Sequence, residues 1–241
     1  MVIDGRITMA LRRQYGLIIN PKTVSRLMKA LDLASKIRVK KFKTYKGECG
    51  KTVKNLLLTK TVDVINHKTY YKRDFSTNDS NQKWVTDITE FKVCGTKVYL
   101  SPLIDIYDKT IVSYQISLTP NLRLVVMMLE EAIEKYQPRG LIFHSDQGWH
   151  YKHTKIQRIL KKNEITRSMS RKGNCYDNSL AENFFGIVKS EFYDLEEFKS
   201  VEAFIKKLKE YLEYYGNERI SLKLKGMTPN EYRKSYLEVS S

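Results

Sequence analysis

Three acidic residues stand in segments where phosphodiester chemistry could use them. Asp87 lies in WVTDITEF, Asp146 in HSDQG and Glu182 in NSLAENFFGIVKSEF. Hard divalent cations take oxygen ligands and bind through a few carboxylates together with substrate phosphate. Two such ions about 3.5–4 Å apart can activate an attacking oxygen and stabilise the leaving one. The three acids therefore favour a site for Mg²⁺ or Mn²⁺, with two ions expected, because oxygen ligands suit both metals.

Each of these acids also has an ordinary explanation when it is taken singly. An aspartate after a strand is commonly a turn or helix-capping residue, and a glutamate on a helix is commonly solvated. Carboxylates gathered in one place would repel one another without a cation. Only the combination of the three acids with their flanking segments favours a catalytic set.

Other polar residues near these segments have structural explanations. Asp105 could approach the metal site, but it and Asp108 fit better as residues that cap or hydrogen-bond locally around a turn. Glu90 lies three residues past Asp87 and so points to the other face of the sheet. His144 is expected to be a packed, hydrogen-bonded support, and Trp84 is expected in the core.

A polar loop, RKGNCYDN, precedes the helix that contains Glu182. Arg171, Lys172 and Asn174 in this loop are candidates for a DNA clamp near the cleaved phosphate. The alternative is a mobile loop with incidental charge, since polar loops are commonly both exposed and variable.

The elements that must position these acids follow a recognisable order. KWVTDITEFKV, KVYLSPLIDIY and TIVSYQISL predict three antiparallel strands joined by short turns. Next come a helix over 122–136, a strand in LIFHSD, a helix over 155–162 and a strand in ITRSMS. Helices over 179–192 and 201–215, and a last one from Thr228-Pro229, complete the chain. This order predicts an α/β ribonuclease H-like core, a mixed sheet flanked by helices, over residues 81–241.

The N-terminal residues 1–34 predict a small helical unit. Residues 6–15 form one predicted helix, and Asn20-Pro21 is a typical start for a second, because asparagine caps and proline suits the first helical position. The second helix has an apolar stripe, Val24, Leu27, Met28 and Leu31. Two helices with a tight turn resemble a helix-turn-helix, whose second helix reads DNA. An ordinary helical hairpin is the alternative. The candidate DNA contacts on this helix are Lys22, Arg26 and Lys29.

Positive charge is concentrated in the first third of the chain. The net charge is +16 overall, and residues 1–80 hold 18 Lys+Arg against 6 Asp+Glu. Residues 35–80 are predicted to be a basic linker, in which Lys40 and Lys41 alternate with apolar and aromatic residues. Such a segment suits a phosphate backbone, although a solvated linker is the alternative. The charge distribution favours nucleic acid as the partner.

The remaining composition excludes several classes of protein. Three widely spaced cysteines exclude a disulfide framework, and four histidines without a CxxC pair argue against structural zinc. No apolar run approaches the ~18 residues that a membrane helix needs, and residues 1–13 do not form a secretory signal. A cytoplasmic, nucleoid-associated protein is therefore expected, with no membrane partner.

Several long motifs together resemble those of one enzyme family. WVTDITEF, FHSDQG, SRKGNCYDNSLAENFFGIVKSE and the C-terminal LKGMTPNEYR resemble bacterial insertion-sequence transposases of the retroviral-integrase (DDE) superfamily. More narrowly, the chain resembles the product of the downstream reading frame of elements that use programmed frameshifting. The resemblance covers residues from about 5 to 236.

This resemblance implies roles for particular residues. Asp87, Asp146 and Glu182 match the acidic triad of the family, and Lys189 matches a basic residue two helical turns after the glutamate. Lys189 would contact a DNA phosphate, or alternatively be a surface lysine beside Phe185 and Phe192. The family cleaves double-stranded DNA at the element ends, and the freed 3′-OH then attacks target DNA. Pairing two ends implies a homo-oligomer in the DNA complex.

Two other functions remain open from the sequence. One is a simple nuclease of the same fold that cuts without joining. The other is a non-catalytic DNA-binding regulator or inhibitor of transposition, which is considered because full-length relatives add an upstream segment with a further DNA-binding unit.

Overall fold

A computed structural model describes residues 2–33, 52–63, 68–172 and 174–240. Lys40 and Lys41, two of the predicted DNA contacts, lie outside these ranges. No helix within the ranges is both long and apolar enough to cross a membrane.

The N-terminal unit consists of two helices, α1 (Val2–Tyr15) and α2 (Pro21–Ala30). The side chain of Asn20 accepts a hydrogen bond from the backbone N–H of Lys22 at 2.9 Å, which caps α2 as the sequence predicts. The apolar stripe of α2 is only partly buried. Val24 is 3% exposed, whereas Leu27 is 47% and Leu31 is 68% exposed.

Two strands, β1 (Leu58–Asp63) and β2 (Lys68–Arg73), form a separate antiparallel pair. We call this pair the hairpin. It lies within the segment predicted to be a linker and does not join the central sheet. Threonine occurs in both strands and tyrosine in β2, and residues of these types favour the extended backbone of a sheet.

The central sheet has six strands. They are β3 (Lys83–Thr86), β4 (Thr89–Val93), β5 (Thr96–Asp105), β6 (Ile111–Ser117), β7 (Ile142–Ser145) and β8 (Thr166–Met169). β5 pairs antiparallel with β6 on one side and with β3 and β4 on the other. β3 then pairs parallel with β7, which pairs parallel with β8. This mixed sheet confirms the ribonuclease H-like arrangement.

The segment predicted as one strand, KWVTDITEFKV, is two. Trp84 pairs with Asp105 and Thr89 with Leu100, so β3 and β4 keep one register along β5. That register sets Asp87 opposite Pro102, which has no N–H to donate to a ladder. The ladder is therefore interrupted at Asp87, and the Thr86 hydroxyl donates to the Pro102 carbonyl at 2.8 Å instead.

Helices cover both faces of the sheet. They are α3 (Leu122–Tyr136), α4 (Trp149–Lys152), α5 (Thr154–Lys162), α6 (Ser179–Val188), α7 (Val201–Asn217) and α8 (Pro229–Ser240). Trp84 and Leu129 belong to the hydrophobic cluster beneath α3 and α5. Phe91, Phe184 and Phe204 belong to the cluster beneath α6 and α7. The helix predicted over 179–192 continues past α6 as a π-helical turn, Lys189–Tyr193.

Candidate active site

Asp87 and Asp146 lie at the same edge of the central sheet. Val85 of β3 pairs in parallel with His144 of β7, and each aspartate follows its paired residue by two positions. Neighbouring strands lie about 4.8 Å apart, so the two aspartates are close neighbours. Ile88 donates its backbone N–H to the Asp87 carboxylate at 2.8 Å, and Gly148 does the same for Asp146 at 2.8 Å.

Gly148 also makes room for Asp146. A Cβ atom at this position would lie 2.9 Å from Oδ1 of Asp146, closer than such atoms can approach. A larger residue would therefore push the carboxylate out of its place.

Glu182 lies in the first turn of α6, and Asn178, four residues earlier, attaches the start of this helix to β3. The side-chain amide of Asn178 donates to the Thr86 carbonyl at 3.2 Å. Residues four apart share one face of a helix. The attachment therefore brings Glu182 toward the break in the sheet that contains Asp87.

Electrostatic coupling shows that the three carboxylates are neighbours. Burial, then repulsion by Asp146 and by Glu182, raises the pKa of Asp87 to about 8, against the opposing hydrogen bonds from Ile88 and Asn178. Burial also raises the pKa of Asp146, opposed by the N–H of Gly148. The structure thus brings together the three acids that the sequence predicts.

The donor set suits a hard divalent cation in its chemistry. All three groups offer carboxylate oxygens, and Asn178, which is 3% exposed, has a side-chain oxygen without a hydrogen-bond partner. Within the described ranges, however, no three His, Cys, Asp or Glu side chains are already arranged as a metal cluster. A shared cation would require the three carboxylates to approach one another more closely.

The second acidic pair, Asp105 and Asp108, has a structural role. Asp105 ends β5 beside Trp84, so it lies toward the opposite end of β3 from Asp87. Arg233 of α8 donates to Asp105 and to Asp108, each at 2.6 Å, and both aspartates are fully buried. Tyr107 and Thr110 also donate their backbone N–H groups to Asp105 and Asp108, at 2.9 Å and 2.8 Å, which confirms the predicted local hydrogen bonding.

His144 is a buried support. Its ring nitrogens lie 2.8 Å from the Ser168 hydroxyl and 3.1 Å from the Ser170 hydroxyl, which join β7 to β8. Burial lowers the pKa of His144 to about 4, so the ring is neutral at physiological pH.

The loop before α6 is held by Asp177, which sequence reasoning missed. This carboxylate is 1% exposed and accepts hydrogen bonds from Arg171, Arg73 and Asn55. Burial alone would raise the pKa of Asp177, but the Arg171 hydrogen bonds, with that of Arg73, hold it at about 2. Its nearest sequence signal is an acid directly before a helix start, which indicates only a cap.

The three residues of this loop that are predicted to contact DNA therefore differ in their surroundings. Both ends of the Arg171 guanidinium contact Asp177, at 2.9 Å and 3.0 Å. Lys172 is exposed to solvent. Asn174 accepts a hydrogen bond from Arg73 at 3.2 Å. DNA binding by these residues stays a prediction.

Lys189 begins the π-helical turn after α6, and its ammonium group lies 5.7 Å from the centre of the Phe91 ring. Two residues later, Glu191 joins this turn to the N-terminal unit. It accepts hydrogen bonds from Arg6 of α1 at 2.8 Å and from Arg219 at 2.7 Å. Sequence reasoning missed this connection because its partners are far apart in the chain.

The remaining candidate DNA contacts lie on α2. Lys22, Arg26 and Lys29 are all exposed, on a helix that buries Val24. Their positions leave them accessible to a large anionic partner.

Comparison with protein families gives three matches along the chain. Models described as an integrase core domain match residues 77–175 and 182–237. A model described as an HTH-like domain matches residues 5–41.

Solved structures share the fold at low sequence identity. The catalytic core domain of HTLV-2 integrase, solved in complex with magnesium, aligns with a TM-score of 0.51 and 16% identity. It covers 66% of this chain and 99% of that one. A chain of the simian T-cell lymphotropic virus intasome aligns with a TM-score of 0.54 and 16% identity, over 94% of this chain and 74% of that one. Likeness at this level concerns the fold alone.

Sequence relatives are much closer. The putative transposase InsK of insertion sequence element IS150 from Escherichia coli is 46% identical over 229 residues, which cover 95% of this chain and 76% of InsK. A transposase-like protein from Haemophilus influenzae is 41% identical, over 91% of this chain and 95% of that protein. The chain therefore belongs to the insertion-sequence transposases of the DDE superfamily, proteins with an integrase core domain.

Proposed function

We propose that this transposase is a metal-dependent DNA strand transferase whose catalytic residues are Asp87, Asp146 and Glu182. The observation that carries the proposal is the position of Asp87 and Asp146 directly after the paired strands β3 and β7, where burial and repulsion from Asp146 and Glu182 raise the pKa of Asp87. A site that holds three neighbouring carboxylates at this cost is typical of one built to neutralise them with cations. The magnesium complex of the HTLV-2 core supports the same choice of cofactor.

Mg²⁺ or Mn²⁺, as a pair of ions held by the three acids, would supply an activated attacking oxygen and stabilise the leaving oxygen. The residues of the chain do the positioning. Asn178 fixes α6 against β3 and so keeps Glu182 beside Asp87. Gly148 keeps Asp146 at the edge of the sheet. Lys189 and Lys172 would contact phosphates as point charges.

DNA is the proposed substrate in both steps. Water attacks the strand at the element end, and the freed 3′-OH then attacks a phosphodiester of the target in line. The N-terminal unit, through Lys22, Arg26 and Lys29, would bind the element ends with the basic segment that contains Lys40 and Lys41. A homo-oligomer that pairs two ends is proposed, in line with the intasome neighbour. The proposed location is the bacterial nucleoid, where the DNA is.

The test is strand transfer on labelled DNA that has the ends of the encoding element. Wild type is compared with Glu182→Gln, each with Mg²⁺, Mn²⁺ or a chelator. Metal-dependent joining that Glu182→Gln abolishes is the expected result. Cutting without joining would instead indicate a nuclease, and binding without cutting under any metal would indicate a DNA-binding regulator.

A further inference from the structure

The hairpin is fixed to the rim of the candidate active site by one buried carboxylate. Asp177 accepts hydrogen bonds from Arg73 of β2 at 3.0 Å and from Asn55, just before β1, at 3.0 Å. The same carboxylate binds the guanidinium of Arg171. The hairpin and the loop before α6 therefore meet at this carboxylate, and Arg73 also donates to the Asn174 side chain at 3.2 Å.

This attachment lies close to the catalytic acids. Asp177 lies in the short 3₁₀ turn Cys175–Asn178 that directly precedes α6, five residues before Glu182. Stacked nucleotides follow one another every 3.4 Å or so along a strand. A phosphate bound at Glu182 would thus lie within a few nucleotides of this attachment.

Aromatic rings line this junction and remain exposed. Tyr71 is 48% and Tyr176 is 65% exposed. The guanidinium of Arg171 lies over the Tyr71 ring at 4.9 Å, and that of Arg73 lies over the Tyr176 ring at 5.3 Å. Each arginine is thus held beside a ring by its pairing with Asp177, which limits the motion of both cations.

The charge of this junction suits a polyanion. Two guanidinium groups face the single carboxylate of Asp177, so one positive charge remains in excess. Lys72 and Lys172 are exposed nearby in the sequence. Exposed rings that alternate with cations are typical of surfaces that bind single-stranded nucleic acid, where bases stack on the rings and phosphates contact the cations. Bases inside a duplex do not offer their faces in this way.

The hairpin also falls outside the three ranges that the family models match. These ranges end at residue 41 and resume at residue 77, whereas the hairpin spans residues 58–73.

We propose that the hairpin and the loop before α6 form a stacking surface, built on Tyr71 and Tyr176, for unpaired bases of the DNA strand beside the cleaved phosphate. The inference rests on the proposed function, since it takes DNA as the substrate. It adds that a few bases next to the cut leave the duplex and lie on these rings.

The experiment uses the full chain and two DNA duplexes with the element end, in the presence of chelator. One duplex is fully paired, and the other has two unpaired nucleotides beside the cleavage position, one of them the fluorescent base 2-aminopurine. Wild type is expected to prefer the unpaired duplex and to quench the fluorescence by stacking. Tyr71→Ala and Tyr176→Ala are each expected to lower affinity for the unpaired duplex about 5- to 100-fold, with little change for the paired one.

Matched variants separate stacking from structural damage. Tyr71→Phe and Tyr176→Phe keep the ring and are expected to retain the preference. Tyr214→Ala removes another exposed ring, on α7, and is expected to change nothing. Unchanged preference and quenching in folded Tyr71→Ala and Tyr176→Ala would overturn the inference, as would equal binding of the two duplexes by wild type.

The same proteins are assayed for strand transfer with Mg²⁺. If stacking depends on the two tyrosines but the DNA is not joined, the stacking surface is supported. The failure to join then contradicts the proposed function alone. Joining by wild type without any stacking overturns the surface alone.

Discussion

The proposed role of Asp87 as a metal ligand conflicts with its contribution to the stability of the metal-free protein. Its pKa is raised to about 8 by burial and by two neighbouring carboxylates, whereas an aspartate in an unfolded chain titrates near 3.9. The folded, metal-free protein therefore binds more protons than the unfolded chain between these values. The contribution of Asp87 to stability therefore falls as the pH rises from about 4 through 8.

We expect Asp87→Asn to stabilise the metal-free protein at pH 7.5 because it removes this charge without changing the size of the side chain. A gain of about 1–3 kcal/mol corresponds to a Tm rise of roughly 2–10 °C. Thermal unfolding in chelator at pH 5 and pH 8.5 measures it, and the gain should be smaller at pH 5. Glu130→Gln, an exposed carboxylate of α3, is the control. A lower Tm for Asp87→Asn at pH 8.5 would contradict the expectation.

Residues differ in how far the sequence could predict them. The three acids proposed to be catalytic lie in long local motifs, so their segments alone are enough to predict them. Asp177 does not, because its partners Asn55 and Arg73 are 122 and 104 residues away in the chain. Only the folded backbone brings such groups together, and no local pattern records it.

Among the elements, the strands and helices of the core follow the predicted order. The sequence did not predict the break between β3 and β4 or the separate hairpin. The break between β3 and β4 comes from Pro102 on the neighbouring strand. The turn at Cys94 and Gly95 fixes that register, so counting back from the turn would have found it. The hairpin was missed because its polar, charged residues resemble a linker, whereas β-propensity depends on what the strand packs against.

Helix α1 is connected to α6, the helix that contains Glu182, through the π-helical turn Lys189–Tyr193. Arg6 donates to Glu191 at 2.8 Å, and Glu191 also binds Arg219, which belongs to the C-terminal part of the core. Movement of the N-terminal unit on DNA would therefore reach a turn that directly follows α6.

We expect Arg6→Gln to loosen α1 while leaving the core intact, because Arg219 still occupies Glu191. Hydrogen exchange should become faster in residues 2–15 and stay unchanged in the central sheet. Glu191→Gln, in contrast, leaves Arg219 buried without its carboxylate and should lower the stability of the core by about 2–4 kcal/mol. Exchange measured by mass spectrometry and urea unfolding check the two variants. Equal exchange in α1 for wild type and Arg6→Gln would refute the coupling.

At the scale of the whole molecule, most of the positive charge that favours DNA binding and the three acids proposed for catalysis lie in different parts of the chain. Residues 1–80 hold 18 Lys+Arg against 6 Asp+Glu, while residues 81–241 hold 25 against 21. The acids that would bind cations thus lie in the nearly neutral part, and the cations that attract DNA lie mostly in the other.

We expect DNA affinity to fall steeply with salt, with a log–log slope of about −4 to −5 if the five basic residues predicted on α2 and in the linker each contact a phosphate. Arg26→Gln should make this slope shallower by about 0.9, because one counterion fewer is released. Binding isotherms between 50 and 300 mM salt measure it. Lys162→Gln, at the end of α5, serves as the comparison and should leave the slope unaltered. An identical slope for Arg26→Gln would remove α2 from the DNA interface.

The hydrogen bonds that Asp177 accepts from Asn55 and Arg73 also have an evolutionary consequence. Because the hairpin shares no strand with the central sheet, mutation can vary its strand residues 58–63 and 68–72 with little effect on that sheet. Related elements could diverge in the DNA they handle by exchanging this piece alone. A chimaera made this way should fold when Asn55, Leu57 and Arg73 are kept, because Asn55 and Arg73 bind Asp177 and Leu57 packs in the core cluster beneath α6 and α7.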